Sequence, residues 1–142
     1  MKTLHPLIFG GILGRDSDKD QMKEHGIENI DMVICNLYPF KSAAEKGVDL
    51  YSLIEEIDIG GPSLLRAASK NHSRVSVVTD PGDYGWILNE ILNGGLTFEQ
   101  RQQLALKSFR HTAEYDSIIQ SVLAQRFGEE ELPSSLHLTG IG

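Results

Sequence analysis

The chain of 142 residues has a single cysteine, no long apolar run and a formal charge of −7. One cysteine, Cys35, excludes a disulfide within the chain and a zinc site built from several thiolates. No apolar run approaches the roughly 20 residues that span a bilayer, and Met1-Lys2 does not lead into the apolar core of a signal peptide. The acidic balance argues against non-specific nucleic-acid binding, which needs a basic surface. We therefore expect one cytoplasmic domain with neither a membrane nor a nucleic-acid partner.

Hydrophobic patterning predicts two strands, over 30–36 and 75–79, with a mostly buried run from Ile30 to Ile34. Helices are expected over 49–57, over 62–70, from Asp80-Pro81 to Gly94-Gly95, and from Thr97 to Phe127. For the last of these, Thr97 and Gln100 form a possible capping box, and no proline or glycine follows before Phe127. Residues 4–14 are expected to form loops and turns with a short apolar piece, and 15–24 a charged surface stretch. Alternating strands and helices indicate an α/β fold with a parallel sheet flanked by helices. Because sheets usually have about 4–6 strands, either further strands escape this patterning or the chain lacks a piece of its domain.

The most informative stretch runs from Asp58 to Lys70 and combines an acid, two glycines, a helix start and two cations. Pro62 suits the first turn of a helix, and Gly60-Gly61 permits close approach of a ligand to the backbone. At about 100° per residue, one wedge of about 60° on that helix carries three polar side chains, Ser63, Arg66 and Lys70. A solvated helix face is the ordinary explanation of such a wedge. The Gly-Gly-Pro entry favours a binding site instead.

Several separate motifs in the same order resemble one family. They are Lys2-Thr3-Leu4-His5-Pro6, Gly10-Gly11-Ile12-Leu13, Cys35-Asn36-Leu37-Tyr38-Pro39-Phe40, and Ile57-Asp58-Ile59-Gly60-Gly61 through Asn71-His72. The pattern is similar to the N-terminal cyclohydrolase domain of the bifunctional AICAR transformylase/IMP cyclohydrolase family. The resemblance implies a three-layer, methylglyoxal synthase-like domain over residues 1–128, incomplete at its N-terminus. Residues 129–142 would be a linker or tail toward a formyltransferase domain, and the chain alone is expected to show little or no turnover.

The family reaction closes the second purine ring of formyl-AICAR to give IMP. The carboxamide nitrogen attacks the formyl carbon and water leaves. The formyl oxygen gains negative charge, so cations or N–H donors must face it. The nitrogen must lose a proton, and the departing oxygen must gain one.

The resemblance, residue by residue, implies four catalytic positions: Lys2, Tyr38, Asp58 and Lys70. Lys2 would stabilise charge near the formyl group, and Tyr38 would donate near the reacting atoms. Asp58 would accept or relay the amide proton, while Lys70 would pair with Asp58 or protonate the departing oxygen. The implied substrate contacts are Thr3, Asn36, Leu37, Ile59, Gly60 and Gly61. Simpler structural roles compete for three of these residues: a surface lysine at Lys2, an aromatic turn residue at Tyr38 and a helix cap at Asp58.

The resemblance further implies no metal and no cofactor for ring closure, 10-formyltetrahydrofolate for the formyltransferase half, a purine nucleotide substrate and a homodimer. Arg66 is expected to be structural, and Cys35 to be a buried strand residue rather than a nucleophile. His5 is expected to order the loop after Lys2. Phe9 and Pro62 depart from the family pattern. Two other functions remain open, a non-catalytic module that binds phosphorylated ligands and a fragment that only dimerises.

Overall fold

The computed structural model describes residues 2–128, which form seven α-helices and two β-strands. The helices are α1 (Pro6–Leu13), α2 (Lys19–Glu24), α3 (Phe40–Glu45), α4 (Leu50–Glu55), α5 (Gly60–Lys70), α6 (Tyr84–Leu92) and α7 (Phe98–Arg126). The strands are β1 (Met32–Ile34) and β2 (Ser76–Val78). The prediction for 129–142 lies outside the described residues. Between residues 2 and 128, no helix is both long enough and apolar enough to cross a membrane.

The chain divides into two compact units. Of the described residues, the first unit contains 2–36 together with Ile59–Phe109, and the second contains Leu37–Asp58 together with 110–128. The helix α7 contributes its first part to the first unit and its second part to the other.

A two-stranded parallel sheet lies in the first unit, with Val33 of β1 opposite Val77 of β2. This confirms the α/β class and the parallel pairing, although both strands are shorter than predicted. The expectation of a mostly buried run in β1 is wrong at Ile34, which is 58% exposed. Side chains alternate between the faces of a strand, so Ile34 points away from the side on which Val33 and Cys35 are buried. Among the described residues, β1 also has a partner strand on one edge only.

Within residues 4–14 the helix α1 spans Pro6–Leu13, so the prediction of loops and turns is wrong for most of this segment. The imidazole Nδ1 of His5 accepts a hydrogen bond from the Leu7 N–H at 3.1 Å and caps the helix, and Pro6 occupies its first turn. The Gly10-Gly11 pair suggests a loop, but these glycines serve packing. A Cβ on Gly10 would lie 2.9 Å from Ile27 Cδ1, and one on Gly11 would meet the carbonyl oxygen of Glu28.

The core of the second unit is a cluster of Phe40, Leu53 and Tyr115, which lie on α3, α4 and α7. The helix α3 was not predicted from the sequence. The helix α4 begins after Asp49, whose Oδ2 accepts a hydrogen bond from the Ser52 N–H at 3.2 Å. Nine half-buried apolar residues pack around the cluster: Leu37, Ala43, Ala44, Val48, Ile57, Ile118, Ile119, Val122 and Leu123.

The helix α7 confirms the predicted long helix, since it spans 29 residues without interruption. Its predicted capping box is present. The Thr97 N–H donates to Gln100 Oε1 at 2.8 Å, and the Gln100 N–H donates to Thr97 Oγ1 at 3.1 Å. The buried stripe of the helix includes polar side chains that hydropathy does not detect, Ser108, Thr112 and Tyr115.

Candidate active site

Two of the predicted catalytic residues meet in the second unit. The carboxylate Oδ2 of Asp58 accepts a hydrogen bond from the backbone N–H of Tyr38 at 3.3 Å. The backbone N–H of Asp58 in turn donates to the hydroxyl oxygen of Tyr115 at 2.9 Å. Asp58 is only 6% exposed, whereas Tyr38 is 41% exposed. A buried carboxylate thus lies beside a tyrosine that solvent can reach.

The apolar core of the second unit fixes the backbone on both sides of this contact. Leu37, which precedes Tyr38, and Ile57, which precedes Asp58, both pack against the cluster that contains Tyr115. Packed side chains in adjacent positions restrict the backbone torsions of the polar residues. Tyr38 and Asp58 are therefore presented from an ordered apolar base.

In the first unit, the start of α5 lies against the backbone of Lys2. The helix begins at Gly60, two residues before the predicted start at Pro62. A Cβ on Gly60 would lie 2.7 Å from the Lys2 Cβ and 2.8 Å from the Lys2 carbonyl oxygen. Only glycine permits this approach. Two residues from motifs far apart in the sequence, Lys2 and Gly60, are thereby brought together.

Lys70 lies at the other end of the same helix. It is exposed and is the last residue of α5. A helix of eleven residues is about 16 Å long. The length of α5 therefore separates Lys70 from the helix start, against which Lys2 lies. Arg66 lies between them, with its guanidinium carbon 5.9 Å from the centre of the Phe109 ring. This cation–π contact agrees with the structural role expected for Arg66.

Most of the residues predicted to contact the substrate lie close to Lys2 or just beyond β1. Thr3 Oγ1 accepts a hydrogen bond from the His5 N–H at 3.0 Å. His5 also caps α1 through its imidazole, so it holds the chain on both sides, at Thr3 and at Leu7. Asn36 is exposed just beyond β1 in the first unit, and Leu37 is half-buried in the second. Ile59, directly before α5, is 61% exposed.

Two residues that anchor α1 were not predicted as important, Asn71 and Arg74. The Arg74 guanidinium donates to the carbonyl oxygens of Gly11 at 2.7 Å and Ile30 at 3.0 Å. Further bonds of Arg74 reach the carbonyls of Ile12 and Gly14 and the carboxylate of Asp31. Asn71 Nδ2 donates to Ile12 O at 2.8 Å. The Asn71-His72 motif was a signal for Asn71, whereas no local pattern marks Arg74.

Within residues 2–128, no group of three or more histidine, cysteine, aspartate or glutamate side chains could hold a metal ion. His72 Nδ1 lies 2.8 Å from the Ser69 carbonyl oxygen, and its ring centre lies 5.9 Å from that of Phe98. Cys35 is buried, with Sγ 3.7 Å from the Asn36 carbonyl oxygen. Its burial confirms that part of the expectation, but Cys35 lies one residue beyond β1 and not within the strand.

Comparisons with known proteins agree with the motifs. A family model described as AICARFT/IMPCHase bienzyme matches residues 68–141, and one described as MGS-like domain matches residues 2–63. The bifunctional purine biosynthesis protein PurH of Persephonella marina is 53% identical over 135 residues, which are 92% of this chain and 26% of that protein. PurH of Streptococcus mutans is 52% identical over 144 residues, covering 98% of this chain and 28% of that protein. The chain therefore spans about a quarter of the length of these relatives.

A solved structure shows the same similarity in three dimensions. The crystal structure of ForH superimposes with a TM-score of 0.75 at 36% sequence identity. The match covers 87% of this chain and 66% of that chain. The similarity thus extends over most of the chain in both sequence and fold.

Proposed function

We propose that this chain, which belongs to the AICARFT/IMPCHase bienzyme family, carries residues of an IMP cyclohydrolase site. The reaction is the ring closure of formyl-AICAR to IMP with loss of water, a step of purine nucleotide biosynthesis. Support comes from relatives named as bifunctional purine biosynthesis proteins at about half identity over nearly the whole chain. Further support comes from the MGS-like match over 2–63, which includes Lys2, Tyr38 and Asp58.

The contact between Tyr38 and Asp58 is the observation that carries this proposal. Asp58 is a buried carboxylate whose Oδ2 accepts a hydrogen bond from the Tyr38 N–H. A carboxylate can act as a general base, so we assign Asp58 to accepting the proton that the carboxamide nitrogen loses on attack. The half-exposed phenol of Tyr38 donates a hydrogen bond near the reacting atoms. A weak nucleophile is activated in this way by an adjacent base.

We propose separate roles for the two lysines, which lie at the two ends of α5. Lys2 lies against the N-terminus of α5, the positive end of the helix dipole. We assign it to stabilising negative charge that develops on the formyl oxygen. Lys70 has an exposed ammonium group at the end of α5. Of the two roles expected for it, we assign it to protonating the departing oxygen.

Around these groups we propose substrate contacts from Thr3, Asn36, Leu37, Ile59, Gly60 and Gly61. Ring closure balances without an added reagent, because one C–N bond forms and one water leaves, so no cofactor takes part in this step. The formyltransferase half of the bifunctional enzyme would use 10-formyltetrahydrofolate. We propose that the enzyme acts as a homodimer in the cytoplasm on small purine nucleotides.

The test is to supply formyl-AICAR to the purified gene product that carries this chain and to follow IMP by chromatography. The account predicts enzyme-dependent IMP formation. AICAR without the formyl group serves as the control, and it should bind without giving IMP. Binding of formyl-AICAR without turnover would contradict the cyclohydrolase assignment and favour a non-catalytic binding module.

A further inference from the structure

We propose that Tyr115 is a positioning residue for the ring closure, because its hydroxyl fixes the backbone from which the Asp58 carboxylate projects. The inference rests on the proposed function, in which Asp58 accepts the amide proton. Tyr115 lies on α7 in the second unit and is 7% exposed. Its hydroxyl oxygen accepts a hydrogen bond from the Asp58 N–H at 2.9 Å, although the two residues are 57 positions apart in the sequence.

Asp58 lies in a short connection between α4 and α5 that has no strand partner. The N–H groups of Glu56 and Ile57 are satisfied by the turn that ends α4, since they donate to Leu53 O and Ile54 O at 3.1 Å each. The next N–H group, that of Asp58, donates instead to the phenol of Tyr115. Buried backbone N–H groups require a hydrogen-bond acceptor. For Asp58 that acceptor is a side chain and not a carbonyl of a helix or strand.

Asp58 is consequently held at two points. Its N–H is bound by Tyr115, and its Oδ2 accepts the Tyr38 N–H at 3.3 Å. The first bond sets the position of the backbone, and the second sets the direction of the carboxylate. Loss of the first bond leaves the carboxylate attached to a backbone that can shift, and small misplacements of a catalytic base slow a reaction considerably.

The ring and the hydroxyl of Tyr115 make different contacts. The ring packs in the cluster with Phe40 and Leu53, whereas the hydroxyl reaches Asp58. The change Tyr115→Phe keeps the ring and removes only the hydroxyl, so the second unit should still fold. Tyr51, which is 75% exposed on α4 of the same unit, offers a matched control as Tyr51→Phe.

The experiment measures IMP formation by the gene product with Tyr115→Phe, Asp58→Asn, both together, or Tyr51→Phe. We expect Tyr115→Phe to lower kcat about 10- to 100-fold while KM for formyl-AICAR changes less than about threefold. Tyr51→Phe should retain the wild-type rate. Because Tyr115 acts through Asp58, the double variant should be no slower than Asp58→Asn alone, within about a factor of two. A merely structural role would instead multiply the two losses.

Amide hydrogen exchange provides a readout that does not depend on turnover. In Tyr115→Phe, the Asp58 amide should exchange at least about tenfold faster than in the wild type, while amides in the middle of α7 keep their rates. Unchanged exchange at Asp58, an unchanged kcat, or multiplied losses in the double variant would each overturn the inference. A wild-type protein that forms no IMP would instead refute the proposed function, and the exchange measurement would still decide whether Tyr115 fixes Asp58.

Discussion

The backbone of Lys2 lies against Gly60 so closely that a Cβ at position 60 would be 2.8 Å from the Lys2 carbonyl oxygen. Two motifs far apart in the sequence therefore meet at the start of α5. The contact gives the Gly60 position a physical requirement for the absence of a side chain. A single added carbon atom at position 60 would therefore displace Lys2, one of the predicted catalytic residues.

The first prediction concerns Gly60→Ala. The added methyl group would displace the Lys2 backbone, so we expect at least a tenfold loss of kcat for IMP formation, on the order expected for a misplaced catalytic group. Gly85→Ala is the control. Gly85 lies within α6, and a Cβ there meets no atom within 4 Å, so it should leave the rate unchanged and stabilise the helix by up to about 1 kcal/mol. A Gly60→Ala protein with the wild-type rate would contradict this link.

The second prediction concerns Arg74, whose guanidinium donates to carbonyl oxygens of Gly11, Ile12, Gly14 and Ile30. Arg74→Lys keeps the charge but loses the planar fork, so several of these charged hydrogen bonds are lost at once. We expect the free energy of unfolding in urea to fall by about 2–4 kcal/mol, since a hydrogen bond from a charged group contributes about 1.5–3 kcal/mol. Arg15→Lys, at a side chain 74% exposed, should change it by less than about 0.5 kcal/mol. Equal stability of the two variants would refute the anchoring role.

The third prediction concerns pH. Lys107 Nζ lies 2.8 Å from Asp80 Oδ2 and 2.7 Å from Asp83 Oδ2. Hydrogen bonds to these two carboxylates, with Asp80 the larger cause, raise the pKa of Lys107 above its ordinary value. These ion pairs therefore stabilise the folded protein. Their full contribution is present below the pKa of lysine in the unfolded chain, about 10.4. It is lost as the pH rises through the higher pKa of Lys107 in the folded protein. Because the Lys107 side chain is 43% exposed, solvent screening limits the gain to less than about 1 kcal/mol.

Unfolding titrations of the wild type and Lys107→Met at about pH 8 and about pH 11.5 measure this contribution. The wild type should lose more stability over that interval than Lys107→Met does. Lys19→Met is the control, because Lys19 is 72% exposed and lies 3.7 Å from Asp16. It should behave like the wild type. Parallel losses in all three proteins would show that the Lys107 ion pairs contribute nothing.

The fourth prediction concerns Ser108, which is fully buried on α7. Its hydroxyl has no hydrogen-bond partner in the part of the chain that the structure describes. Removing a buried hydroxyl of this kind relieves a desolvation cost, so Ser108→Ala should raise the free energy of unfolding by about 1 kcal/mol. Ser69 is the matched case, since its Oγ donates to Leu65 O at 2.7 Å. Ser69→Ala should give no such gain, and destabilisation by Ser108→Ala would contradict the prediction.

Local patterns were enough to predict some elements. The capping box at Thr97 and Gln100 and the absence of proline and glycine beyond it predicted α7. The apolar runs predicted where β1 and β2 lie. These features depend on neighbours in the sequence, which is why the chain alone reveals them.

Features that depend on distant contacts could not be predicted in this way. The glycines of α1 suggested a loop because their purpose, contact with Ile27 and Glu28, is tertiary. Ile34 was expected to be buried because its apolar character says nothing of whether a neighbour covers it. The role of Tyr115 could not be predicted because its hydroxyl binds a backbone N–H group, and every residue except proline has such a group. The resemblance, not the patterning, supplied the candidate roles of Lys2, Tyr38, Asp58 and Lys70.

The most direct test of the account is the rate of IMP formation from formyl-AICAR by the Asp58→Asn gene product. The side chain keeps its size and can still accept the Tyr38 N–H, but it can no longer take up the amide proton. We predict a loss of kcat of at least about 100-fold, with nucleotide affinity by calorimetry within about threefold of the wild type. An Asp58→Asn protein that converts formyl-AICAR at the wild-type rate would contradict the central claim.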